Sequence, residues 1–236
     1  MDKTIRALFE DDYLIIFDKR PGLLVIPSPR DGKPTLTELV NRQYPLPQKR
    51  LHPCHRLDRD TSGVILYAKG KRHQKMLMAL FHRHAVEKTY LAFVRGRMKP
   101  GSGTIKTAVS SSHYGKRSYP VSFQRKGRPK AKPAVTRYRV LSVRKGYSIV
   151  EAYPLTGRTH QIRIHFRDCG HPLLGERLYA FGRDFPVNFR RLALHASKIS
   201  FRHPVEGRKI TVTAPVPDDM RLFMSKSKTV KSEVGP

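Results

Sequence analysis

Acidic residues are scarce in this chain. Its 236 residues include 18 Asp and Glu against 47 Lys and Arg, which leaves a formal net charge of +29 at pH 7. A protein with so large a positive charge attracts polyanions, and nucleic acid is the commonest polyanion that such a surface binds. The composition therefore favours a nucleic-acid-binding protein, with an anionic membrane or an acidic protein as the alternative partner.

Long apolar runs are also missing. The chain has no stretch of about 18 or more apolar residues, so the sequence offers no membrane-spanning helix. Its first residues, MDKTIRALFEDD, carry acids where a secretory signal needs an apolar run. We therefore predict a cytoplasmic protein without a membrane partner.

Cysteine is too rare for a disulfide framework. The two thiols, Cys54 and Cys169, are expected to be free in a reducing compartment. Potential zinc ligands form two local clusters, which are His52, Cys54 and His55, and Cys169 and His171. Neither cluster has the C-x-x-C spacing of a structural zinc site, so we expect no bound metal.

Strand-like segments outnumber helical ones. Apolar residues 14–17 and 23–26 flank the turn-forming sequence DKRPG and predict a hairpin. Thr35 has capping-box spacing for a helix, and residues 71–84 have the apolar spacing of an amphipathic helix. Further strands are predicted at residues 64–68, 90–94, 135–141, 147–153, 198–202 and 209–213. Because strands and helices do not alternate regularly, we predict an α+β domain with a mixed, mostly antiparallel β-sheet.

The positive charge is unevenly distributed along the chain. Residues 88–150 contain 16 Lys and Arg and no acid, and the densest part, residues 116–132, interleaves cations with Tyr119 and Phe123. Cations can contact phosphates and rings can stack on bases, so we predict an RNA-binding arm. Its candidate RNA contacts are Lys116, Arg117, Arg125, Lys126, Arg128, Lys130 and Lys132. A basic loop that serves only solubility is the alternative.

Two carboxylates lie among cations in residues 52–63, HPCHRLDRDTSG. Asp60 begins the Asx-turn sequence Asp-Thr-Ser-Gly, so we interpret it as a residue that shapes a turn. Asp58 precedes this turn on a chain that is about to become a strand, where loops commonly build functional sites. Asp58 is therefore the candidate for chemistry.

A second unusual stretch covers residues 154–165, PLTGRTHQIRIH, and is predicted to begin as a loop and to become a helix. Ile162 and Phe166, at i, i+4 spacing, would face the core. Arg163 would then project from a rigid element, where it could pair with a carboxylate such as Asp58 and keep it ionised. A phosphate-binding or surface arginine is the alternative.

Four motifs occur in a recognisable order. Residues 55–63 are HRLDRDTSG, and three further segments follow, which are residues 88–92 (KTYLA), 157–165 (GRTHQIRIH) and 191–196 (RLALHA). The first closely resembles the H-R-L-D-x-x-T-S-G signature of RluA-type pseudouridine synthases, and the others agree with that family. The resemblance implies an RNA-modifying isomerase with the pseudouridine synthase fold, flanking helices and a central RNA-binding cleft over residues 1–224.

The resemblance also implies roles for individual residues. Asp58 matches the catalytic aspartate, Tyr90 the active-site tyrosine and Arg163 the arginine that pairs with the aspartate. Arg56 matches the position that helps to take the target base out of its stack. Further candidates for RNA contact are Arg158 and His160. The implied reaction moves uracil from its glycosidic nitrogen to its carbon-5 without redox change, cofactor or metal.

The expected substrate is a uridine in a stem-loop or bulge of ribosomal or transfer RNA, because extruding a base costs least outside a regular duplex. Members of the family often carry a separate N-terminal S4 RNA-binding domain, which this chain is expected to lack. The catalytic domain, acting as a monomer, would then recognise the RNA itself. The polar, basic tail at residues 225–236 is expected to be disordered.

Two other classes of protein are compatible with parts of the sequence. A non-catalytic RNA-binding or ribosome-associated protein would explain the charge equally well, and the carboxylate of Asp58 would then hardly matter. A uridine glycosidase breaks the same bond, but hydrolases usually place two carboxylates around a water, and Asp60 is the only nearby second carboxylate. The four motifs favour the synthase.

Overall fold

The computed structural model describes residues 4–28, 32–47, 49–99, 101–111, 118–120, 131–179, 187 and 189–226. In chain order the elements are β1 (Arg6–Glu10), β2 (Leu14–Lys19), α1 (Leu36–Gln43), β3 (Leu51–Pro53), β4 (Ser62–Lys69), α2 (Lys71–His82), β5 (Glu87–Arg95), β6 (Gly101–Ser111), β7 (Ser118–Pro120), β8 (Lys132–Arg144), β9 (Tyr147–Pro154), α3 (Gln161–Asp168), β10 (Leu194–Arg202), β11 (Lys209–Thr213) and α4 (Asp218–Lys226).

The chain divides into two compact units, each made of two separated stretches. The first unit contains Met1–Lys88 and His195–Val216, and the second contains Thr89–Leu194 and Pro217–Pro236. The single catalytic domain expected over residues 1–224 stays a prediction.

The first unit is built on a sheet whose strands lie in the order β1-β2-β4-β10. β3 pairs with β4, and β11 pairs with β10. The neighbours are antiparallel except β10 and β4, which run parallel. Strand β4 is buried along almost its whole length, as its apolar sequence indicates.

The two helices of the first unit begin and end for different reasons. The side chain of Thr35 accepts the backbone N–H of Glu38 and the Glu38 carboxylate accepts the N–H of Thr35, so the predicted capping box that starts α1 is confirmed. Helix α2 is shorter than the predicted 71–84, because it ends at His82 and His84 has a left-handed backbone with φ of 56°.

The predicted hairpin between residues 14–17 and 23–26 is wrong. Strand β2 pairs instead with β1, and the carboxylate of Asp11 closes their turn by accepting the backbone N–H groups of Tyr13 and Leu14. Residues 23–26 do not form a strand. The carbonyl groups of this segment accept N–H groups from the first residues of α1, for example Leu36 to Leu24 at 2.7 Å, so the start of a helix takes the bonds that a strand would have used.

The second unit contains an antiparallel sheet in the order β5-β9-β8-β6-β7. Ile162 and Phe166 of α3 are buried in a cluster with Ala92 and Val94 of β5, which confirms the predicted inward face of this helix. Phe93 points to the opposite face of β5, where Phe223 of α4 stacks on it with ring centroids 5.8 Å apart.

The α+β class with a mixed, mostly antiparallel sheet is confirmed. The strands β3, β6 and β7 and the helix α4 were not predicted. Helix α4 includes Ser225 and Lys226, so the prediction of disorder from residue 225 onward is wrong at these two positions. Residues 227–236 lie outside the described part of the chain.

Candidate active site

The loop that carries Asp58 starts where one edge of β4 changes its partner. β10 pairs with the first residues of β4, at Ser62 and Gly63, while β3 pairs with its last residues, from Tyr67 to Lys69. Residues 54–61 connect β3 to β4 between these two partners. Asp58 therefore lies in the loop that leads into the first residues of β4, in agreement with the placement that the sequence predicts.

His55 fills the gap between the two partner strands. Its Nε2 accepts the backbone N–H of Leu66 at 3.0 Å, a group that would otherwise pair with a neighbouring strand. The ring stacks on Phe81 of α2, with centroids 4.9 Å apart. Burial and, to a lesser degree, the nearby charge of Lys88 lower the pKa of His55 to about 3. His55 is therefore a neutral hydrogen-bond acceptor that fixes the start of the Asp58 loop.

The loop itself is closed by a backbone turn. The carbonyl oxygen of Asp58 accepts the N–H of Thr61 at 3.1 Å. Leu57 is buried and anchors the loop, whereas Arg56 is exposed and Asp58 is half-buried. Asp60 is exposed at the third position of this turn and does not begin a turn of its own, because Ser62 and Gly63 already belong to β4.

A buried lysine holds the middle of the loop. Lys19 has no exposed surface, and its ammonium group donates to the carbonyl oxygens of Arg20, Leu23 and Arg59 at 2.8 to 3.0 Å. The carbonyl of Arg59 also accepts the N–H of Gly22 at 2.9 Å. The carbonyl group of the residue after Asp58 is thus held by two donors. The sequence gives no signal for this role, because Lys19 lies in a stretch that has the composition of a solvent-exposed turn.

The end of the loop is fixed by the parallel pair of β4 and β10. Inside this pair, the hydroxyl of Ser62 lies 3.0 Å from Nδ1 of His195, and both residues are buried. Gly63 has a φ of 109° and lies directly against the backbone of Ala196. The Thr-Ser-Gly part of the first motif therefore serves close strand packing.

We expect the stability of the protein to depend on His55 at acidic pH. Unfolded His55 takes up a proton near its ordinary pKa of 6.5, whereas folded His55 does so only near 3. Between these values the unfolded state binds more protons, so the free energy of unfolding falls as the pH falls, by up to about 1.4 kcal/mol per pH unit for this group. Urea unfolding of the wild type and of His55→Gln between pH 7 and 4 measures this slope.

The glutamine variant keeps an acceptor for Leu66 but does not titrate, so its unfolding free energy should change less with pH than that of the wild type. Equal slopes for the wild type and His55→Gln would contradict a neutral His55.

Tyr90 lies on β5 in the second unit. It is opposite Ala152 of β9 and is half-buried, with its side chain packed against the cluster that contains Ile162 and Phe166 of α3. The predicted active-site tyrosine and the helix that carries Arg163 therefore share one hydrophobic core.

The loop before α3 is organised by a glutamine. The carbonyl oxygen of the Gln161 side chain accepts the hydroxyl of Thr156 and the N–H of Arg158, while its amide donates to the Val135 carbonyl and the Thr136 hydroxyl on β8. The oxygen of this buried side chain thus bonds to the loop, and its nitrogen bonds to the sheet. Gln161 belongs to the predicted motif, but its role as the anchor was not foreseen.

Arg163 is buried on α3 and forms a two-point ion pair with Glu176. Nε lies 2.7 Å from one carboxylate oxygen and Nη2 lies 2.7 Å from the other. The guanidinium also lies over the ring of Tyr179, at 5.2 Å from its centroid. Glu176 and Tyr179 were not among the predicted site residues. The pair of Arg163 with Asp58 stays a prediction.

The predicted RNA-contact residues fall in three groups. Arg56 and Lys132 are exposed. Arg158 is half-buried and its Nε donates to the Pro133 carbonyl, and His160 is half-buried with Nδ1 2.6 Å from the hydroxyl of Tyr179. The remaining predictions lie outside the described residues and are Lys116, Arg117, Arg125, Lys126, Arg128 and Lys130.

The described part of the chain offers neither a metal site nor a membrane-spanning helix. In that part of the chain, no group of three or more His, Cys, Asp or Glu side chains is arranged to hold a metal ion. Among the helices described there, none has the length and apolar character needed to cross a bilayer.

Known proteins resemble this chain over most of its length. The family model for RNA pseudouridylate synthase matches residues 13–168. The uncharacterized RNA pseudouridine synthase YhcT of Bacillus subtilis (strain 168) is 34% identical over 218 residues, which cover 91% of this chain and 69% of the relative. Ribosomal large subunit pseudouridine synthase C of Yersinia pestis is 34% identical over 236 residues, which cover 95% and 70%.

Two further proteins complete the comparison. Ribosomal large subunit pseudouridine synthase D of Xanthomonas campestris pv. campestris is 32% identical over 237 residues, covering 95% of this chain and 70% of the relative. The solved structure of human RNA Pseudouridylate Synthase Domain Containing 1 superposes with a TM-score of 0.73 at 26% identity, covering 91% of this chain and 84% of that one. The resemblance inferred from the motifs is confirmed. The chain belongs to the RNA pseudouridylate synthase family and is an RluA-type RNA pseudouridine synthase, an isomerase.

Proposed function

We propose that this protein isomerises specific uridines of ribosomal RNA to pseudouridine, with Asp58 as the catalytic residue. The observation that carries the proposal is the fixed loop of Asp58, which Lys19 and His55 hold at the edge of β4. Relatives named ribosomal large subunit pseudouridine synthases C and D support ribosomal RNA as the substrate. Transfer RNA is the alternative substrate.

The reaction sets clear demands on the site. The bond between uracil N1 and the ribose anomeric carbon breaks, the base turns, and its carbon-5 bonds to the same anomeric carbon. Carbon-5 loses a proton and N1 gains one, so atoms and electrons balance without an oxidant. The carboxylate of Asp58 can attack the anomeric carbon or stabilise its positive character, and in either case it must be ionised.

Tyr90 and Arg163 complete the proposed site. The ring of Tyr90 stacks on the uracil, and its hydroxyl assists proton transfer at the base. Arg163 pairs with the carboxylate of Asp58 and keeps it ionised and oriented. A site that excludes water during this sequence prevents hydrolysis of the broken glycosidic bond, which would release the base.

The target base must first leave its stack. Extruding a paired base costs a few kcal/mol, and least in a loop or bulge, so we propose a uridine outside a regular duplex. Arg56 supports this step, since it is exposed one residue before the buried anchor Leu57 and two before Asp58.

The exposed face of α2 is a further surface that we propose for RNA. Residues 61–86 contain no acid, and four exposed cations lie on this face, which are Lys71, Arg72, Lys75 and Arg83. Twelve helical residues span about 18 Å. Phe81, near the end of α2, stacks on His55 beside the Asp58 loop, so the row of cations leads away from the proposed catalytic residue. The absence of acids between 61 and 86 is the sequence signal that could have identified it.

Removing cations from α2 should weaken RNA binding and make it less sensitive to salt. Each phosphate contact releases counterions, with a change in the slope of log K against log salt of roughly 0.7 to 0.9. We expect the triple variant Lys71→Gln, Arg72→Gln, Lys75→Gln to lower this slope by roughly two. Filter binding of ribosomal RNA at several salt concentrations between about 50 and 300 mM measures this slope.

The matched control removes the same charge elsewhere in the first unit. Lys198, Arg202 and Lys209 are exposed on the β10 and β11 hairpin, and their triple Gln variant should change the slope by less than half as much. Equal slopes for the two triple variants would mean that α2 contributes only to the overall charge.

The experiment that tests the proposed function is site-resolved pseudouridine mapping of total RNA from cells with and without this protein. One or more uridines of ribosomal RNA should lose their modification in its absence and regain it with the wild-type gene. A lost site in transfer RNA would correct the substrate, and unchanged sites throughout would favour a protein that only binds RNA.

A further inference from the structure

We propose that Glu176 is a positioning residue for catalysis, because it fixes the guanidinium of Arg163 relative to the strand that carries Tyr90. The inference rests on the proposed role of Arg163 and adds a residue outside the four sequence motifs. Its basis is the contacts within the second unit.

The two-point geometry determines the orientation of Arg163. Two parallel N–H···O bonds of 2.7 Å hold Nε and Nη2 in the plane of the Glu176 carboxylate. A single bond would let the guanidinium rotate, whereas a bidentate pair fixes both its plane and its direction. The guanidinium has five N–H donors in all, and the pair with Glu176 engages those on one side of it.

Because both side chains are buried, each of the two charges requires the other as its partner. The side chain of Glu176 has 0% exposure and that of Arg163 has 9%. A carboxylate at that depth requires a charged or hydrogen-bonding partner, since leaving it unpaired costs free energy. Glu176 and Arg163 therefore hold each other in a single arrangement.

The position of Glu176 is set by β5 and not by Arg163 alone. The N–H of Leu174 donates to the carbonyl of Phe93 on β5 at 2.8 Å, and the N–H of Ala193 donates to the carbonyl of Leu174 at 2.9 Å. The carboxylate of Glu176 also accepts the N–H of Leu178 at 2.8 Å. Because Tyr90 lies three residues before Phe93 on the same strand, Glu176 links Arg163 to the frame that carries Tyr90.

Tyr179 supports the other side of the arrangement. Its ring lies under the guanidinium of Arg163, and its hydroxyl lies 2.6 Å from Nδ1 of His160, the residue that precedes α3. His160 has a left-handed backbone with φ of 56°, so the residue that leads into α3 is held in an unusual conformation beside this ring. Glu176 and Tyr179 thus contact Arg163 from two directions.

A double-variant cycle separates positioning from a general structural role. The substrate is ribosomal RNA from cells that lack the protein, and the measured quantities are kcat and KM for pseudouridine formation. Glu176→Gln keeps the shape but replaces one acceptor oxygen by a donor that faces Arg163. We expect kcat to fall roughly 10- to 100-fold, the effect of a misplaced catalytic group, with KM nearly unchanged.

The decisive comparison is made in the Arg163→Lys background. If Glu176 acts through Arg163, adding Glu176→Gln to Arg163→Lys should lower kcat by less than about threefold, because the group that it positions is already gone. If the two effects multiply, Glu176 acts independently of Arg163 and the proposal is wrong. It is also wrong if Glu176→Gln alone leaves kcat within about threefold of the wild type.

Two further variants keep the test decisive. Glu176→Asp keeps the charge and is put through the same cycle if the Gln variant does not fold. Tyr179→Phe keeps the ring under Arg163 and is the matched control, with kcat expected to fall less than that of Glu176→Gln. A wild-type kcat for Arg163→Lys would overturn the proposed role of Arg163, and this inference with it, whereas an impaired Arg163→Lys with an active Glu176→Gln would overturn only the inference.

Discussion

Asp58→Asn is expected to abolish pseudouridine formation while leaving the fold and RNA binding intact. The amide has the shape of the carboxylate but can neither attack the anomeric carbon nor stabilise its positive charge, so the rate should fall at least roughly 1,000-fold. The loop should survive, because its turn is closed by the backbone carbonyl of Asp58 and by Lys19 bonding to the Arg59 carbonyl. Pseudouridine mapping of RNA from cells that carry only this variant measures the effect.

The matched control for this prediction lies two residues away. Asp60 is an exposed carboxylate in the same turn, and Asp60→Asn should keep activity within a few-fold of the wild type. The alternatives make different predictions here. A uridine glycosidase would need a second carboxylate and release free uracil, whereas a non-catalytic RNA-binding protein would be indifferent to either change. An Asp58→Asn variant that restores modification in cells would show that the catalytic assignment is wrong.

Gly63→Ala is expected to destabilise the first unit severely. An added Cβ would overlap the carbonyl oxygen of Ala196 and lie 2.7 Å from its carbonyl carbon, both backbone atoms of the paired strand β10. The φ of 109° adds strain of about 1 to 3 kcal/mol for a residue with a side chain. Because β10 must move away, we expect a loss of more than about 4 kcal/mol in the free energy of unfolding. Urea unfolding and the yield of soluble protein measure this loss.

Substitutions at two other glycines distinguish backbone strain from steric overlap as the cause of the lost stability. Gly22 has a φ of 87° with nothing within 4 Å of an added Cβ, so Gly22→Ala should show the cost of strain alone. Nothing lies within 4 Å of an added Cβ at Gly157 either, and its backbone is not in the strained region, so Gly157→Ala should be nearly neutral. A Gly63→Ala variant no less stable than Gly22→Ala would mean that β4 and β10 are not packed this closely.

The two residues whose substitution should have the largest effects lie in one short stretch of chain. Asp58 and Gly63 are five residues apart, and the turn between them leads directly into the parallel pair of β4 and β10. The motif thus combines a reactive carboxylate with the residues that allow two strands to approach. For every variant between His55 and Gly63, a separate measurement of folding is therefore required to distinguish lost catalysis from lost stability.

Several local features could be predicted because their cause is local. The capping box at Thr35 requires only two residues three positions apart, and the inward face of α3 follows from the i, i+4 spacing of Ile162 and Phe166. The α+β class followed from the number and order of apolar segments. The hairpin predicted at residues 23–26 failed, because turn composition cannot say which segment becomes the partner of β2.

The sequence by itself determined the family, the loop that carries Asp58 and most of the strands and helices, since these depend on neighbouring residues and on ordered motifs. Only the tertiary structure decided that the buried Lys19 donates a hydrogen bond to the Arg59 carbonyl and that Glu176 forms an ion pair with Arg163. Lys19 reaches Arg59 because β2 pairs with β4, and Glu176 reaches Arg163 because the chain after α3 returns to bond with β5. A buried charge is stable only where the fold supplies its partner, and no local pattern of residues records which partner that will be.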